Sequence, residues 1–251
     1  MKQLLTPIDT LIHSFARSVL HAMCLVAVAL HLHVRIEGAE HLPRTGPVLI
    51  AAHHFHHLYD GCIFISRLPR RVHIFVALDW VQTRRTRRLM ETICSLAIWP
   101  ITLREERLVE DTTTRHTQHH SAYARSEIKR YFLRAATQSV RLLRRNKVLV
   151  IFPEAYPNID PAFTPKTAQT PFLPFKPGFI RLVEMAERDK KTRVAIIPAG
   201  FTYQAEQKKW RVTLRLGASI YRQNCPNNEE LLHTIETQMQ ALSRPCPNER
   251  V

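Results

Sequence analysis

Short runs of apolar and β-branched residues alternate along the chain with longer amphipathic segments. The short runs predict strands at Leu32–Glu37, Val48–Ala52, Val72–Leu78, Ile98–Leu103, Val148–Phe152, Val194–Pro198 and Arg211–Leu216. The amphipathic segments predict helices near Asp60–Ser66, Val81–Leu96, Ser121–Arg145, Phe179–Arg188 and Glu229–Leu242. This alternation is typical of an α/β fold in which helices flank a mixed, largely parallel sheet.

The N-terminal segment predicts a separate amphipathic and apolar helix. Thr6 can cap it, Pro7 suits the first helical position, and the pattern continues to about His31. Its most apolar part, Val19–Leu30, is shorter than the roughly 20 residues that cross a bilayer. We therefore expect residues 1–31 to form a membrane-interface helix and residues 32–251 one further domain. A core helix, a signal peptide and a true span are the alternatives.

Charge narrows the possible partners. The 251 residues include 36 Lys and Arg against 21 Asp and Glu, a formal net charge of +15. Such an excess favours an anionic partner, which could be nucleic acid, an acidic membrane surface or a phosphorylated substrate. The five cysteines form no Cys-x-x-Cys pair, which indicates reduced thiols and no thiolate metal site. The mean hydropathy of −0.19 excludes a protein with many membrane spans.

Histidines are concentrated directly after the predicted strand Val48–Ala52. The segment contains His53, His54, His56 and His57, followed by Asp60. Open α/β sheets place their sites at the carboxyl ends of strands. A carboxylate that curls back onto one ring nitrogen would leave the other nitrogen as a base near neutral pH. The alternative is a polar rim of histidines without a catalytic role.

Two segments without hydrophobic periodicity are also notable. Six prolines lie between Glu154 and Gly178, and an ordered loop of that length is usually functional. The polar stretch Glu105–His120 is expected to be exposed.

Four sequence blocks follow one another along the chain: His33–His54 (HVRIEGAEHLPRTGPVLIAAHH), Ile98–Arg104 (IWPITLR), Val150–Glu154 (VIFPE) and Ala195–Pro198 (AIIP). In this order they resemble the glycerolipid acyltransferases, the family of 1-acylglycerol-3-phosphate acyltransferases. In that family a Gly-x-Glu-x-Leu-Pro turn and a strand precede an Asn-His motif, with an Asp after four further residues. The resemblance extends from about Leu32 to Ile220 and includes a closing strand with Gly217.

The resemblance implies roles for residues in these blocks. His54 would be the general base and Asp60 its partner, with His56 or His57 as the fallback base. Glu154 would position the glycerol part of the acceptor. Two cations, Arg104 and Lys176, would hold the phosphate of the acceptor.

This sequence departs from the family pattern at four points. His53 occupies the position of the family's Asn, and five residues instead of four separate His54 from Asp60. Ala155 replaces the Gly of the third block, so a positive φ is less expected there. Pro157 stands near the place where many members carry an Arg for the phosphate, which leaves the acceptor open.

The implied reaction is acyl transfer from acyl-CoA or acyl carrier protein to a hydroxyl of a lysophospholipid such as 1-acylglycerol-3-phosphate. The resemblance implies direct attack, no cofactor beyond the thioester co-substrate, and no metal. We expect a peripheral or monotopic enzyme on the cytoplasmic face of an anionic membrane. Its acyl tunnel would be closed by Ala155–Pro177 and the N-terminal helix.

Two other functions fit parts of the sequence. A non-catalytic basic module for nucleic acid or anionic membranes would explain the charge, but no nucleic-acid recognition signature is present, so we expect no nucleic-acid partner. A di-iron desaturase would explain the boxes His53-x-x-His56-His57 and His116-x-x-His119-His120. Desaturases of that kind need several spans, which this chain lacks.

Overall fold

The computed structural model describes residues 7–108, 121–161, 163–189 and 191–244. Thr6, Cys246, the second histidine box and most of the polar stretch Glu105–His120 lie outside these ranges. The helices are α1 (Pro7–His31), α2 (Tyr59–Arg67), α3 (Arg84–Ala97), α4 (Ile128–Arg144), α5 (Gly178–Glu187) and α6 (Asn228–Leu242). The strands are β1 (Leu32–Glu37), β2 (Val48–Ala52), β3 (Val72–Ile74), β4 (Val76–Ala77), β5 (Ile101–Thr102), β6 (Val148–Ile151), β7 (Ala195–Ala205) and β8 (Trp210–Leu216).

Six strands form one sheet in the order β1-β8-β7-β2-β6-β3, and β4 and β5 form a separate parallel pair. Every neighbouring pair in the larger sheet is parallel except β7 and β8. One apolar layer joins α1 and α2 to one face through residues such as Val28 and Phe64. On the other face, α4, α5 and α6 pack through residues such as Leu143, Ile180 and Ile235. The predicted mixed, largely parallel sheet flanked by helices is confirmed.

Three strand predictions differ from the structure. Val72–Leu78 is two strands, because the chain leaves β6 after Phe75 and pairs with β5 from Val76. Ile98–Leu103 shortens to β5, because Ile98 ends α3 in a left-handed conformation with φ 60°.

The third difference concerns β7, which does not end at Pro198 but continues to Ala205. From Ala199 onward β7 pairs with β8 in antiparallel register, so that strand supplies hydrogen-bond partners after β2 has ended. The extension carries Thr202 and Tyr203 beyond the end of β2, into the region of the loop that contains His53, His54, His56 and His57.

Helix α1 has two distinct faces. Its inward face places Cys24 and Val28 in the core beside α2. Its outward face is a stripe of exposed apolar side chains at helical spacing, which we call the outer stripe: Leu11, Ile12, Phe15, Val19, Met23, Val26 and Leu30. The segment Leu11–His31 is long and apolar enough to cross a membrane by length and composition, and 11% of its most apolar window is buried. The apolar segment therefore extends beyond the run Val19–Leu30, and the place of the helix at a membrane interface stays a prediction.

Candidate active site

The loop after β2 is folded around the carboxylate of Asp60. The backbone amide of His53 donates to the carbonyl of Ala199 at 2.9 Å, which extends the pairing of β2 with β7 by one residue. The chain then turns back, and the amides of Phe55 and His56 donate to Asp60 Oδ2 at 2.7 and 2.9 Å. Asp60 lies in the first turn of α2, where the helix dipole favours a negative charge. The carboxylate therefore sets the shape of the loop.

His54 and Asp60 form the predicted pair. The Nδ1 atom of His54 lies 3.0 Å from Asp60 Oδ2, and because the carboxylate can only accept, Nδ1–H donates. The hydroxyl of Tyr203 donates to Asp60 Oδ1 at 2.6 Å, so both carboxylate oxygens are bonded. Within the described part of the chain, nothing bonds to Nε2 of His54. Asp60 is fully buried, whereas 15% of the His54 side chain is accessible.

The electrostatics of the pair favour a neutral imidazole. Burial lowers the pKa of His54 below its ordinary value, while the hydrogen bond and charge of Asp60 act in the opposite direction. The ring also stacks on Phe152, with centroids 4.1 Å apart. A neutral imidazole with Nδ1–H fixed on a carboxylate has its lone pair on Nε2. This arrangement can remove a proton from a hydroxyl.

The fallback bases are placed differently. His56 accepts from the amides of Leu58 and Tyr59 through Nδ1, and burial lowers its pKa to about 4. His57 is exposed, with Nδ1 at 3.3 Å from the carbonyl of Ile159. Neither ring bonds to a carboxylate in the described chain. The geometry therefore favours His54 as the base.

Glu154 lies in a second buried cluster beside the loop. Its Oε1 accepts from His53 Nδ1 at 2.7 Å, and its Oε2 accepts from Lys166 Nζ at 2.6 Å and from the amide of Leu173 at 2.9 Å. Burial acts to raise the pKa of Glu154, but the hydrogen bond and charge of His53, with Lys166, hold it below its ordinary value. Both oxygens of Glu154 are therefore occupied by protein groups, and its contact with an acceptor stays a prediction.

The two predicted phosphate ligands are not equivalent. Arg104 is buried, bonds Asp79 through Nε and Nη2, and donates from Nη1 to the carbonyl of Ala155 at 2.8 Å. Its guanidinium thus fixes the loop after β6. Lys176 is half-exposed and forms an ion pair with Glu106. The structure does not bring Arg104 and Lys176 onto one common partner, and their phosphate-binding role stays a prediction.

The backbone at Ala155 differs from the expectation drawn from its residue type. Its φ is 67°, in the left-handed region that glycine favours. The amide of Ala155 closes a tight turn onto the carbonyl of Phe152 at 3.0 Å, and the Ala155 carbonyl receives the bond from Arg104. The turn is therefore left-handed at Ala155 although this residue is not glycine, and the expectation that a positive φ is less likely there is wrong.

A cavity of about 1220 Å³ opens beyond the carboxyl end of β2. It is lined by the two neighbours of His54, namely His53 and Phe55, and by Tyr203. Asn158, Pro171 and Phe172 reach it from the proline-rich loop, whereas none of its lining residues in the described chain belongs to α1. The proline-rich loop therefore borders this cavity, while an acyl tunnel closed by Ala155–Pro177 and the N-terminal helix stays a prediction. The cationic lining residues are Arg35, Arg211 and Arg244, opposed by one carboxylate, Glu206.

Two residues of the site were missed in the sequence. Tyr203 lies on the part of β7 beyond Pro198, so a longer strand prediction would have found it. Lys166 lies in the proline-rich loop, whose length indicated a function, but no motif distinguishes this lysine from its neighbours. No group of three or more His, Cys, Asp or Glu side chains in the described ranges is arranged to hold a metal ion.

A family model described as Acyltransferase matches residues 33–202, which is more than half of the chain. The chain belongs to the acyltransferase family. This enzyme is similar in fold to the crystal structure of a 1-acyl-sn-glycerophosphate (LPA) acyltransferase, PlsC, from Thermotoga maritima. The TM-score is 0.53 at 12% identity, and the alignment covers 91% of this chain and 79% of that chain. No curated protein matches the sequence.

The family match confirms the resemblance predicted from the four sequence blocks. It also favours the enzymatic interpretation over the non-catalytic basic module. The matched range begins at the start of β1 and ends within β7, so it contains His54, Asp60, Arg104, Glu154 and Lys176.

Proposed function

We propose that this acyltransferase moves a fatty acyl group from an acyl thioester to the hydroxyl of a lysophospholipid such as 1-acylglycerol-3-phosphate. The observation that carries the proposal is the His54–Asp60 pair, with Nδ1 held by the carboxylate and Nε2 without a partner in the described chain. The similarly folded PlsC from Thermotoga maritima is a 1-acyl-sn-glycerophosphate acyltransferase, which supports the same acceptor class here. The donor would be acyl-CoA or acyl carrier protein, with no other cofactor.

In the proposed reaction, Nε2 of His54 removes the hydroxyl proton of the acceptor while the hydroxyl oxygen of the acceptor attacks the thioester carbonyl. The tetrahedral intermediate then collapses, the carbon–sulfur bond breaks, and the departing thiolate takes the proton from the imidazolium. Asp60 holds the ring and stabilises its charged form between these two proton transfers. The products are an ester and a free thiol, without an acyl-enzyme.

The cavity beside the loop, whose lining includes His53 and Phe55 but not His54, would suit an acceptor with a negative head and an apolar body. Phe55, Phe172 and Tyr203 supply aromatic surface, and the arginines at the cavity outnumber its carboxylates. Such a lining suits an anionic amphiphile better than a neutral alcohol. We keep Glu154 as the predicted contact to the glycerol part, and Arg104 and Lys176 as predicted phosphate ligands.

We further propose that the enzyme acts on an anionic membrane surface, at its cytoplasmic face. The outer stripe of α1 supplies apolar surface, and a groove of about 600 Å³ at the end of that helix is lined by His33, Arg35, Arg67, Lys209 and Arg211. An apolar helix face beside cationic side chains is the arrangement that binds acidic lipid interfaces.

The decisive experiment is an acceptor panel with one long-chain acyl-CoA, in which thiol release is followed for the wild type, His54→Ala and Asp60→Asn. We expect thiol release at full rate only from the wild type, with both variants strongly slowed. We expect this release only when the acceptor is a lysophospholipid. His57→Ala is the matched control, because His57 is an exposed histidine of the same loop. Equal rates for wild type and His54→Ala, or release with neutral alcohols alone, would contradict the proposal.

The membrane proposal has its own test in vesicle flotation. Replacing Phe15 and Met23 of the outer stripe by Ser should reduce binding to acidic vesicles, since both side chains are exposed and apolar. The control replaces Leu89, an exposed leucine on α3, by Ser. Unchanged binding of the Phe15 and Met23 variant would reject α1 as the binding surface.

A further inference from the structure

Lys166 is a buried lysine whose ammonium group is fully engaged. Its side chain is 1% accessible, and Nζ lies 2.6 Å from Glu154 Oε2, 3.0 Å from the His54 carbonyl and 3.1 Å from Asn158 Oδ1. An ammonium has three N–H donors, so these three contacts satisfy it. A buried lysine is kept only where partners of this kind compensate for its lost hydration.

The contact with His54 is one of several hydrogen bonds that join the proline-rich loop to the loop after β2. The amide of Asn158 also donates to the His54 carbonyl, at 3.1 Å, and the amide of Ile159 donates to the carbonyl of Phe55 at 2.7 Å. Lys166 therefore fastens the proline-rich loop to the backbone of the proposed base. A shift of that loop would move the His54 ring relative to Asp60.

Lys166 also changes the charge around the base. The charged groups near His54 are Asp60 from α2 and Glu154 and Lys166 from the loop after β6, and the other titratable neighbours are Tyr203 of β7, His53 and His56. Counted alone, the two carboxylates and the one ammonium carry formal charges that sum to −1. Without Lys166 the sum would be −2, and a more negative environment favours the protonated imidazole.

We propose that Lys166 is a positioning residue, an inference that rests on the proposed function. Lys166 fixes the loop that carries His54 and keeps the imidazole of His54 neutral and able to accept a proton. The direction of the electrostatic effect agrees with the geometry, because the charge of Lys166 lowers the pKa of His54 and that of Glu154 raises it.

The test is a series of variants that changes the local charge in known steps. Lys166→Met gives −2, Glu154→Gln gives 0, and the double variant returns to the wild-type −1. Relative to wild type, the acid limb of kcat/KM for thiol release should move by about one pH unit upward in Lys166→Met and downward in Glu154→Gln. The double variant should lie close to wild type, and Lys166→Arg should restore the profile that Lys166→Met shifts.

A second measurement does not depend on activity. The titration of His54 is followed by NMR with labelled histidine, and its signal is identified by its loss in His54→Gln. If the titration follows the charge series, the role of Lys166 holds even when no lysophospholipid is turned over. If His54 titrates alike in wild type and in folded Lys166→Met, the proposal is overturned. A double variant that titrates like Lys166→Met would also overturn it.

Discussion

Replacing Asp60 by Asn tests whether the charge of Asp60 supports His54 as the proposed base. Asp60 accepts four hydrogen bonds, three on Oδ2 and one on Oδ1. An amide can keep its oxygen at the Oδ2 position and place its NH₂ toward Tyr203, whose hydroxyl can rotate to accept. The loop should therefore keep its shape while the charge that stabilises the imidazolium of His54 is lost.

The size of the effect follows from the bond that is weakened. A hydrogen bond to a charged group contributes about 1.5–3 kcal/mol, and at about 1.4 kcal/mol per factor of ten this predicts a loss of about 10- to 150-fold in kcat. Removing the base itself with His54→Ala should cost about 10²- to 10⁴-fold. Because Asp60 acts through His54, the double variant should be no slower than His54→Ala alone.

The assay is thiol release from an acyl-CoA at saturating lysophospholipid, with thermal unfolding of each variant as the control for folding. The pH profile adds a second criterion. Since Asp60 raises the pKa of His54, its neutralisation should move the acid limb of the profile to lower pH. The reasoning is refuted if Asp60→Asn stays within about twofold of wild type, or if the double variant shows the full product of the two single losses.

Three further outcomes follow from the described contacts. Tyr203→Phe removes the donor to buried Asp60 Oδ1 and should lower the free energy of unfolding by about 1–3 kcal/mol in urea titrations; an unchanged midpoint would contradict this. Ala155→Gly relieves the positive φ and should raise stability by about 1 kcal/mol, seen as a Tm increase of about 2–4 °C, whereas a decrease would show no strain. Burial lowers the pKa of His73 and lowers that of His56 to about 4, so below about pH 6.5 the unfolded chain binds more protons than the folded chain. The free energy of unfolding should therefore fall on acidification from about pH 6.5 toward about pH 4, and urea midpoints that stay constant across that range would exclude it.

The fold was predictable because burial of apolar runs decides most of the elements. The strand Val48–Ala52 and the helix ending at Leu242 agree with the pattern, since both are set by local hydrophobic periodicity. The errors occur where a strand changes partner, or where a helix end takes the place of the predicted start of a strand, as at Ile98. Pro198 looks like an end in the sequence, yet a neighbour that is distant along the chain, β8, lets β7 continue.

The candidate site likewise contains residues that a local pattern predicts and residues that only the tertiary structure brings together. His54 and Asp60 lie six residues apart, so a short loop and one carboxylate are enough to join them, and the motif revealed both. Lys166 and Tyr203 contact them from 112 and 143 residues away. Only the packing of β7 and the proline-rich loop around the end of β2 brings these groups together, and no local pattern encodes that packing.

The two-sided nature of α1 affects how this enzyme can be handled. Cys24 and Val28 share one core with Phe64 and Phe201, and the ring of His21 bonds the carbonyl of Ile65 in α2. Truncating the chain before β1 would thus uncover interior surface and invite aggregation. Substituting only exposed positions of the outer stripe avoids this, because the inward face of α1 then stays in the core.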